Sequence, residues 1–408
     1  MQWYFSILIG VGLAFRPAIC HGELEVTPTA GIGMTYRFAD RAASDWDAYI
    51  SPGLAFRWLG PSGQIGFNYN TTVRADLDDG SWRVDDHHTL SLSTQAVWTP
   101  RFQTNWGGRL TVSPDTTRND PEFSDVTDLL APSTDTLHFD TNIGLSYQNT
   151  PLRQSSLGLF YGESRYDDPP TGGRPLHDDA FYGFSLSQSR QFTPKSSGQI
   201  GYRFTRHDLS DFGVHGLNLG YARSLSPTLS ASLSSGVSYL SPERDFNGTW
   251  GASLSKAFQG GGLGFSASRT YGGGTGLTPS PPTDGRNTPP SDLLLLDQGN
   301  ARSGGVFSGG TTTDSASLSG RWTLARSLEG TLRGGVSRNR ALDNRNNRTL
   351  SYNAVAALHY RITSHWGGTL TYQHLQQRVE IDPSSTGDNR FKSDSISAQF
   401  TWRGSPWR

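Results

Sequence analysis

Between residues 49 and 75, apolar side chains recur at every second position on both sides of Gly60-Pro61-Ser62-Gly63. Ile50, Pro52, Leu54, Phe56 and Trp58 precede that tetrapeptide; Ile65, Phe67, Tyr69, Val73 and Ala75 follow it. Ser51, Gly53, Arg57, Gln64, Asn68, Asn70, Thr72 and Arg74 stand between them. Period two predicts strands with two unlike faces, and the Gly/Pro turn makes the pair a hairpin. The same alternation runs through LEVTPTAGIGMTYRF (24–38), TLSLSTQAVW (89–98), LHFDTNIGLSY (137–147), LSASLSSGVSY (229–239) and LSYNAVAALHY (350–360). About 18 such segments are expected (16–18 at the bounds), each near the ten-residue length of a tilted membrane strand.

The connections alternate in length. The short set is 60–63, 99–102, 148–152, 192–196, 224–228, 258–262, 324–328 and 361–365, and Pro61, Pro100, Pro151, Pro194 and Pro227 sit in it. The long set is 39–45, 76–88, 114–135, 167–179, 207–214, 241–247, 272–312, 339–348 and 379–391. Aromatic residues cluster near the short turns and the C-terminus: Trp58, Trp98, Trp106, Tyr147, Phe192, Tyr221, Phe258, Trp322, Tyr360, Trp366, Phe400 and Trp402. Tyr and Trp favour a membrane–water interface, where the ring is desolvated and its polar tip stays wet.

These regularities predict an all-β fold: a transmembrane, antiparallel, up-and-down β-barrel in the outer membrane of a Gram-negative cell, with short periplasmic turns and long extracellular loops. A soluble sandwich or β-helix would also alternate, but it explains neither the loop asymmetry nor the ring of aromatics.

Composition agrees. Only 34% of the 408 residues are hydrophobic, and Gly contributes 48. No amphipathic helix of convincing length and no run of 18 apolar residues is found. Residues 1–22, apolar from Trp3 to Phe15, read as a secretory signal cleaved after Cys20 or Gly22, leaving residues 23–408 as the barrel. Cys20 is the single cysteine, so the mature chain would have no disulfide. Net charge is −1, which gives no reason to expect nucleic acid as a partner. Outer-membrane lipid, lipopolysaccharide and the barrel-insertion machinery are the partners the fold implies.

If the apolar phase meets lipid, the other phase lines a lumen. It carries Arg37, Arg57, Arg74, Arg109, Arg203, Arg321, Arg333, Arg361 and Arg403, against fewer carboxylates, chiefly Asp47 and Asp140. Guanidinium keeps its charge and matches carboxylate or phosphate with a planar fork, so these arginines are the candidate binding residues of an anion-preferring pore. The chain uses 32 Arg against Lys195, Lys256 and Lys392, and genome composition could produce that skew too. Segment 272–312, low in complexity around Leu293–Leu296, reads as an external loop; constricting the barrel or gripping a partner are its sharper alternatives.

No nucleophile elbow, zinc-protease motif or phosphate loop is present, so no enzyme, cofactor or catalytic residue is expected. No metal site is expected either: His87-His88 beside Asp85-Asp86 is the one cluster, and adjacent strand residues face opposite ways.

Residues 26–77, VTPTAGIGMTYRFADRAASDWDAYISPGLAFRWLGPSGQIGFNYNTTVRADL, carry a Pro-containing strand, an Asp-rich gap, Ile-Ser-Pro-Gly and a Gly-Pro turn into a Tyr-containing strand. In these features the chain resembles a family of outer-membrane barrels associated with exosortase (PEP-CTERM) and exopolysaccharide loci. Its tail RFKSDSISAQFTWR (390–403) is similar to that family's closing strand, with Phe400 or Trp402 as the residue the insertion machinery would read. The resemblance implies envelope polysaccharide traffic, with polysaccharide and secretion components as partners. The function expected is thus a porin-like channel or conduit, plausible for export of an anionic exopolysaccharide; the alternative is a non-transporting barrel serving as scaffold or receptor of an envelope complex.

Overall fold

The structure, a computed structural model, describes residues 22–39, 45–76, 84–113, 136–166, 178–208, 212–241, 245–273, 310–341, 348–380 and 389–405. The signal segment, Leu293–Leu296 and most of the long connections lie outside the described residues. Eighteen strands follow one another: β1 (Glu23–Ala39), β2 (Asp45–Gly60), β3 (Gly63–Asp76), β4 (Val84–Thr99), β5 (Phe102–Ser113), β6 (Thr136–Thr150), β7 (Arg153–Tyr166), β8 (Asp179–Thr193) and β9 (Ser196–His207). The second half comprises β10 (Phe212–Ser226), β11 (Leu229–Ser241), β12 (Asp245–Phe258), β13 (Gly261–Gly273), β14 (Gly310–Ala325), β15 (Leu328–Ala341), β16 (Arg348–Arg361), β17 (Trp366–Glu380) and β18 (Asn389–Arg403). Each strand pairs antiparallel with its sequence neighbours, and β1 pairs with β18 from Thr29↔Arg403 to Ala39↔Ser393. The sheet is therefore a closed barrel, and its two would-be edge strands satisfy each other.

The short turns explain themselves chemically. In Thr99-Pro100-Arg101-Phe102, proline presets φ at the second position, while the Thr99 hydroxyl accepts N–H bonds from Arg101 (3.3 Å) and Phe102 (3.0 Å). Thr150 receives Leu152 (3.4 Å), Thr193 receives Lys195 (3.2 Å) and Ser226 receives Thr228 (3.3 Å) in the same way, each around a following proline. One register shift precedes each of these turns, the local twist that lets a two-residue connection reverse the chain. At Gln259-Gly260 the backbone takes φ +83°, which glycine adopts without strain.

Strand length departs from expectation. The strands run from 12 to 17 residues rather than ten, because backbone pairing continues past the lipid boundary into the loops. Segments 39–45, 207–214 and 241–247 shrink accordingly: only residues 40–44, 208–211 and 242–244 separate the flanking strands. The ends of 272–312 are strand as well, with Gly272↔Thr311 and Gly273↔Gly310 paired.

Antiparallel partners share a face, so one register fixes all eighteen. Ile32, Leu54, Leu110, Leu186, Leu233, Phe265, Leu318 and Phe400 belong to a single phase, which is largely exposed: 57% at Ile32 and 63% at Leu233. Thr27, Thr35, Asp47, Ser238, Asn339, Gln373 and Ser397 belong to the other and are buried. Apolar residues outside and polar residues inside invert a soluble protein, and lipid is the solvent that makes the inversion stable.

Aromatic residues form two arcs, not one. Trp58, Tyr221, Phe258, Trp322 and Trp402 lie outward near the short turns, as expected. Trp106 is no rim residue: it is 5% exposed, and its indole N–H donates to Thr141 Oγ1 at 2.9 Å. The second arc lies toward the long connections. There Tyr36 packs 4.2 Å from Phe38 and 4.4 Å from Trp46, while Phe184, Tyr202, Phe204, His215, Tyr239 and Phe246 form a continuous run.

The outward assignment carries a stability prediction. Leu54→Arg and Leu110→Arg, each on the lipid phase, are expected to cost about 2–4 kcal/mol in reversible unfolding from lipid vesicles. Asn68→Arg and Ser91→Arg, opposite one another's strand on the inner phase, should cost far less. Equal penalties at all four sites would contradict the assignment.

Candidate functional site

The inner wall has two chemically distinct sectors. From β7 to β14 it is mostly hydroxyl: Ser156–Ser187 (2.6 Å), Ser230–Ser255 (2.6 Å), Ser232–Ser253 (2.7 Å), Ser266–Ser317 (2.7 Å) and Ser268–Ser315 (2.9 Å) bridge neighbouring strands. Serine is short, so this sector leaves space beside the wall while presenting both donors and acceptors. Most of the candidate arginines stand elsewhere, at different heights along β1–β5 and β14–β18.

Arg37 faces Asp47 at 3.6 Å, and Asp47 is 1% exposed. The two are offset by two residues in the register, Thr35↔Asp47 and Arg37↔Asp45, so the pair closes diagonally across β1 and β2 on one face. Arg57 lies near the short-turn end opposite Glu25 and donates to Gln64 Oε1 at 3.4 Å, while Gln64 Nε2 donates to Gln95 Oε1 at 3.0 Å. Arg109 stands opposite Asp140 at mid-strand. Arg74 pairs with Tyr49 and Asp85 in the backbone register, and its side chain falls outside the described residues.

Arg203 is the one member set within the opposite wall. Its guanidinium lies 4.3 Å from the Phe160 ring centroid, and its Nε donates to Thr205 Oγ1 at 3.3 Å. Phe160 and the nearby Phe181, 3% exposed, are apolar residues on the inner phase, so this patch pairs a cation with aromatic faces. Arg321 forms an ion pair with Glu329 and donates to its Oε2 at 2.9 Å through Nη2. Arg333 lies opposite Ser319 and Val355; Arg361 opposite Gly367; Arg403, at the barrel seam, opposite Thr29.

The register thus puts eight of the nine candidates, those with described side chains, on the inner phase. It does not gather them into one ring; they spread over both mouths and the middle. The carboxylates Glu25 and Glu329 were not anticipated. Their signal was available, since each falls on the polar phase, but only the strand register shows that an arginine stands opposite or beside each. His87 and His88 diverge as expected: His87 lies beside Thr89 on the inner phase, whereas His88 stacks on Tyr69 outside, its Nδ1 3.0 Å from the phenol oxygen.

No protein-family model and no curated protein matches this sequence. Among solved structures the chain is similar to OccK9 (OpdG) of Pseudomonas aeruginosa, at 14% identity and TM-score 0.51, over 94% of this chain and 99% of that one. It is also similar to OpdK with vanillate, from the same organism, at 12% identity and TM-score 0.50, over 93% and 99%. At these identities the likeness is one of fold, the closed barrel already described.

The ion pairs differ in burial, so they should differ in energy. Asp47→Asn leaves Arg37 facing a neutral partner in a buried setting and is expected to destabilise by about 3 kcal/mol. Glu329→Gln, at an exposed pair, should stay within about 1 kcal/mol. Thermal unfolding in detergent compares them, and equal effects would contradict the difference in burial.

Proposed function

We propose that this barrel is a passive outer-membrane channel that favours anionic, carboxylate-bearing solutes and acidic saccharide units, among them those of an exopolysaccharide. The observation that carries the reading is the inner phase itself: a polar wall in which arginines stand at successive heights along the path. Barrels of 16–18 strands leave an aqueous channel, and fixed guanidinium charges lower the barrier for anions there. Arg203 beside Phe160 adds a place where a ring and a carboxylate can be held together. OpdK is a barrel of the same fold whose structure contains vanillate, a small aromatic carboxylate, which is consistent with such chemistry in a scaffold of this type. The exopolysaccharide assignment rests on the family resemblance of residues 26–77 and 390–403. Among the described residues of the wall, hydroxyls, amides and arginines predominate, which suits a passage for polar solutes and favours transport over hydrolysis.

The competing role is a closed barrel that serves an envelope complex as scaffold. It draws on the ion pairs Arg37–Asp47 and Arg321–Glu329, which use lumen charge to tie strands together.

Conductance in planar bilayers separates the two. The channel reading expects ohmic conductance with anion preference in a salt gradient. Replacing Arg109, Arg203 and Arg333 with Gln should move the reversal potential toward cations, most clearly at low salt where screening is weakest. A barrel that does not conduct, or a selectivity untouched by the three substitutions, would overturn it.

A further inference from the structure

On β13–β18, among the described residues, seven cations stand on the outward phase near the long connections. On β13–β18 the outward phase is apolar from the short turns upward: Phe265, Leu318, Leu332, Val336, Leu370 and Ile396 are each between 36% and 51% exposed. Further toward the long connections the same phase turns cationic. A single backbone register runs Arg269↔Asp314↔Arg338↔Leu350↔Arg378↔Arg390 across all six strands. Arg340↔Arg348 form the next pair above it, and Lys392 sits just below Arg390.

Three acids share this region, Asp314, Asp394 and, at the end of β17 opposite Arg348, Glu380. Among the described residues of these strand ends, seven cations against three acids leave an excess of four positive charges (7 − 3). The acids act as spacers. Asp314 is held by Arg269 (Nη2 to Oδ2, 3.0 Å) and lies 3.9 Å from Arg340; Asp394 accepts from Tyr372 (2.7 Å), contacts His374 (2.7 Å) and lies 3.6 Å from Lys392. The Asp314 and Asp394 carboxylates fix the side chains around them, and cations still outnumber acids along the row among the described residues.

Arginine richness in general does not explain the row. Elsewhere on this rim, among the described residues, the outward phase carries the aromatic arc with Arg165, bonded to Glu163, and Arg206. The row itself keeps to six adjacent strands, a third of the circumference, and to a narrow band of heights. Its cations cannot act on a solute inside the barrel, because the sheet lies between. On lipid-facing strands an arginine costs several kcal/mol at mid-membrane and almost nothing at the interface, so the row marks where hydrocarbon meets headgroups. The long connections put that rim at the outer leaflet, whose distinctive lipid is a phosphorylated glycolipid.

We propose that the outward row on β13–β18 is a binding site for lipopolysaccharide, with Arg338, Arg348, Arg378 and Arg390 engaging its phosphate groups. Guanidinium forks suit phosphate oxygens, and the apolar outward residues lower on the same strands, Val336 next below Arg338 with Leu370 and Ile396 below Arg378 and Arg390, offer a wall for the acyl chains. The proposal rests on the outer-membrane placement of the barrel and is independent of what crosses the lumen.

The test uses the intact barrel, refolded in detergent and checked by its heat-modifiable migration on gels. Binding of purified lipopolysaccharide is compared for wild type and for the variant carrying Gln at Arg338, Arg348, Arg378 and Arg390. The wild type is expected to bind, and the variant to bind roughly tenfold or more weakly. Enzymatically dephosphorylated lipopolysaccharide should bind the wild type as poorly as the intact lipid binds the variant. Bilayer conductance of the variant should match wild type, which keeps this test separate from that of the channel. Should the four-fold variant fail to fold, Arg378→Gln with Arg390→Gln is the substitute, expected to show a smaller loss in the same direction. Unchanged binding in the variant would overturn the proposal. So would equal binding of phosphatidylglycerol micelles at matched phosphate, since that outcome denotes attraction to any anionic lipid surface.

Discussion

Backbone amides and carbonyls that face hydrocarbon must find partners inside the protein, because no water is there to take them. In this chain the requirement is met by closure: β1 bonds both to β2 and to β18, and no strand edge is left among the eighteen. Most of the rest follows from that ring. Antiparallel partners share a face, so a single choice of phase at β1 passes through seventeen neighbours and must return consistent at the seam. It does: Ile32 meets both Ile50 and Phe400, and Gly31 meets both Ser51 and Thr401. An even strand count is what lets an up-and-down meander close antiparallel.

The consequence for side chains is a protein with little apolar core. The buried hydrophobic cluster in the wall is small, Leu240 and Tyr271 with Val214 beside them. Apolar side chains instead form the outer surface, and the wall is cross-linked inside by serine pairs and a few ion pairs. Polar bonds in such a lumen do two things at once, since each guanidinium or hydroxyl that ties two strands is also part of the surface a solute would pass. Arg37 and Arg321 are weighted toward the wall by their acidic partners; Arg203, held by an aromatic face and a hydroxyl, retains its charge without a carboxylate bonded to it in the contacts described. The outer surface has its own division, an aromatic arc and a cationic arc at the same rim, so the headgroup region meets two different chemistries.

Much of this was legible in sequence, for a physical reason. Period-two alternation and Ser/Thr-Pro turns are local, and they fix strand number, the hairpin order and which of Leu54 and Asn68 meets lipid. Three features were not legible. Strand ends were placed too early because the apolar signal stops at the lipid boundary, whereas hydrogen bonding continues through residues such as Gly272 and Thr311. The upper aromatic arc is not legible because Phe184, Phe204, His215 and Tyr239 sit on separate strands and gather only when four strands are laid side by side. The same holds for charge. Arg338 and Arg378 look like loop-edge residues one at a time, and the row they form with Arg269 and Arg390 exists only in the register. Pairing across strands is a long-range property, and a pattern with period two carries no information about it.

The central claim is that one phase of every strand meets lipid and the other meets water. Single cysteines introduced at consecutive positions 331–336 of β15, spin-labelled and reconstituted in vesicles, test it directly. Relaxation by lipid-soluble oxygen should dominate at 332, 334 and 336, and relaxation by a water-soluble nickel chelate at 331, 333 and 335. A pattern without that two-residue alternation, or with the chelate excluded from 331, 333 and 335, would contradict the account.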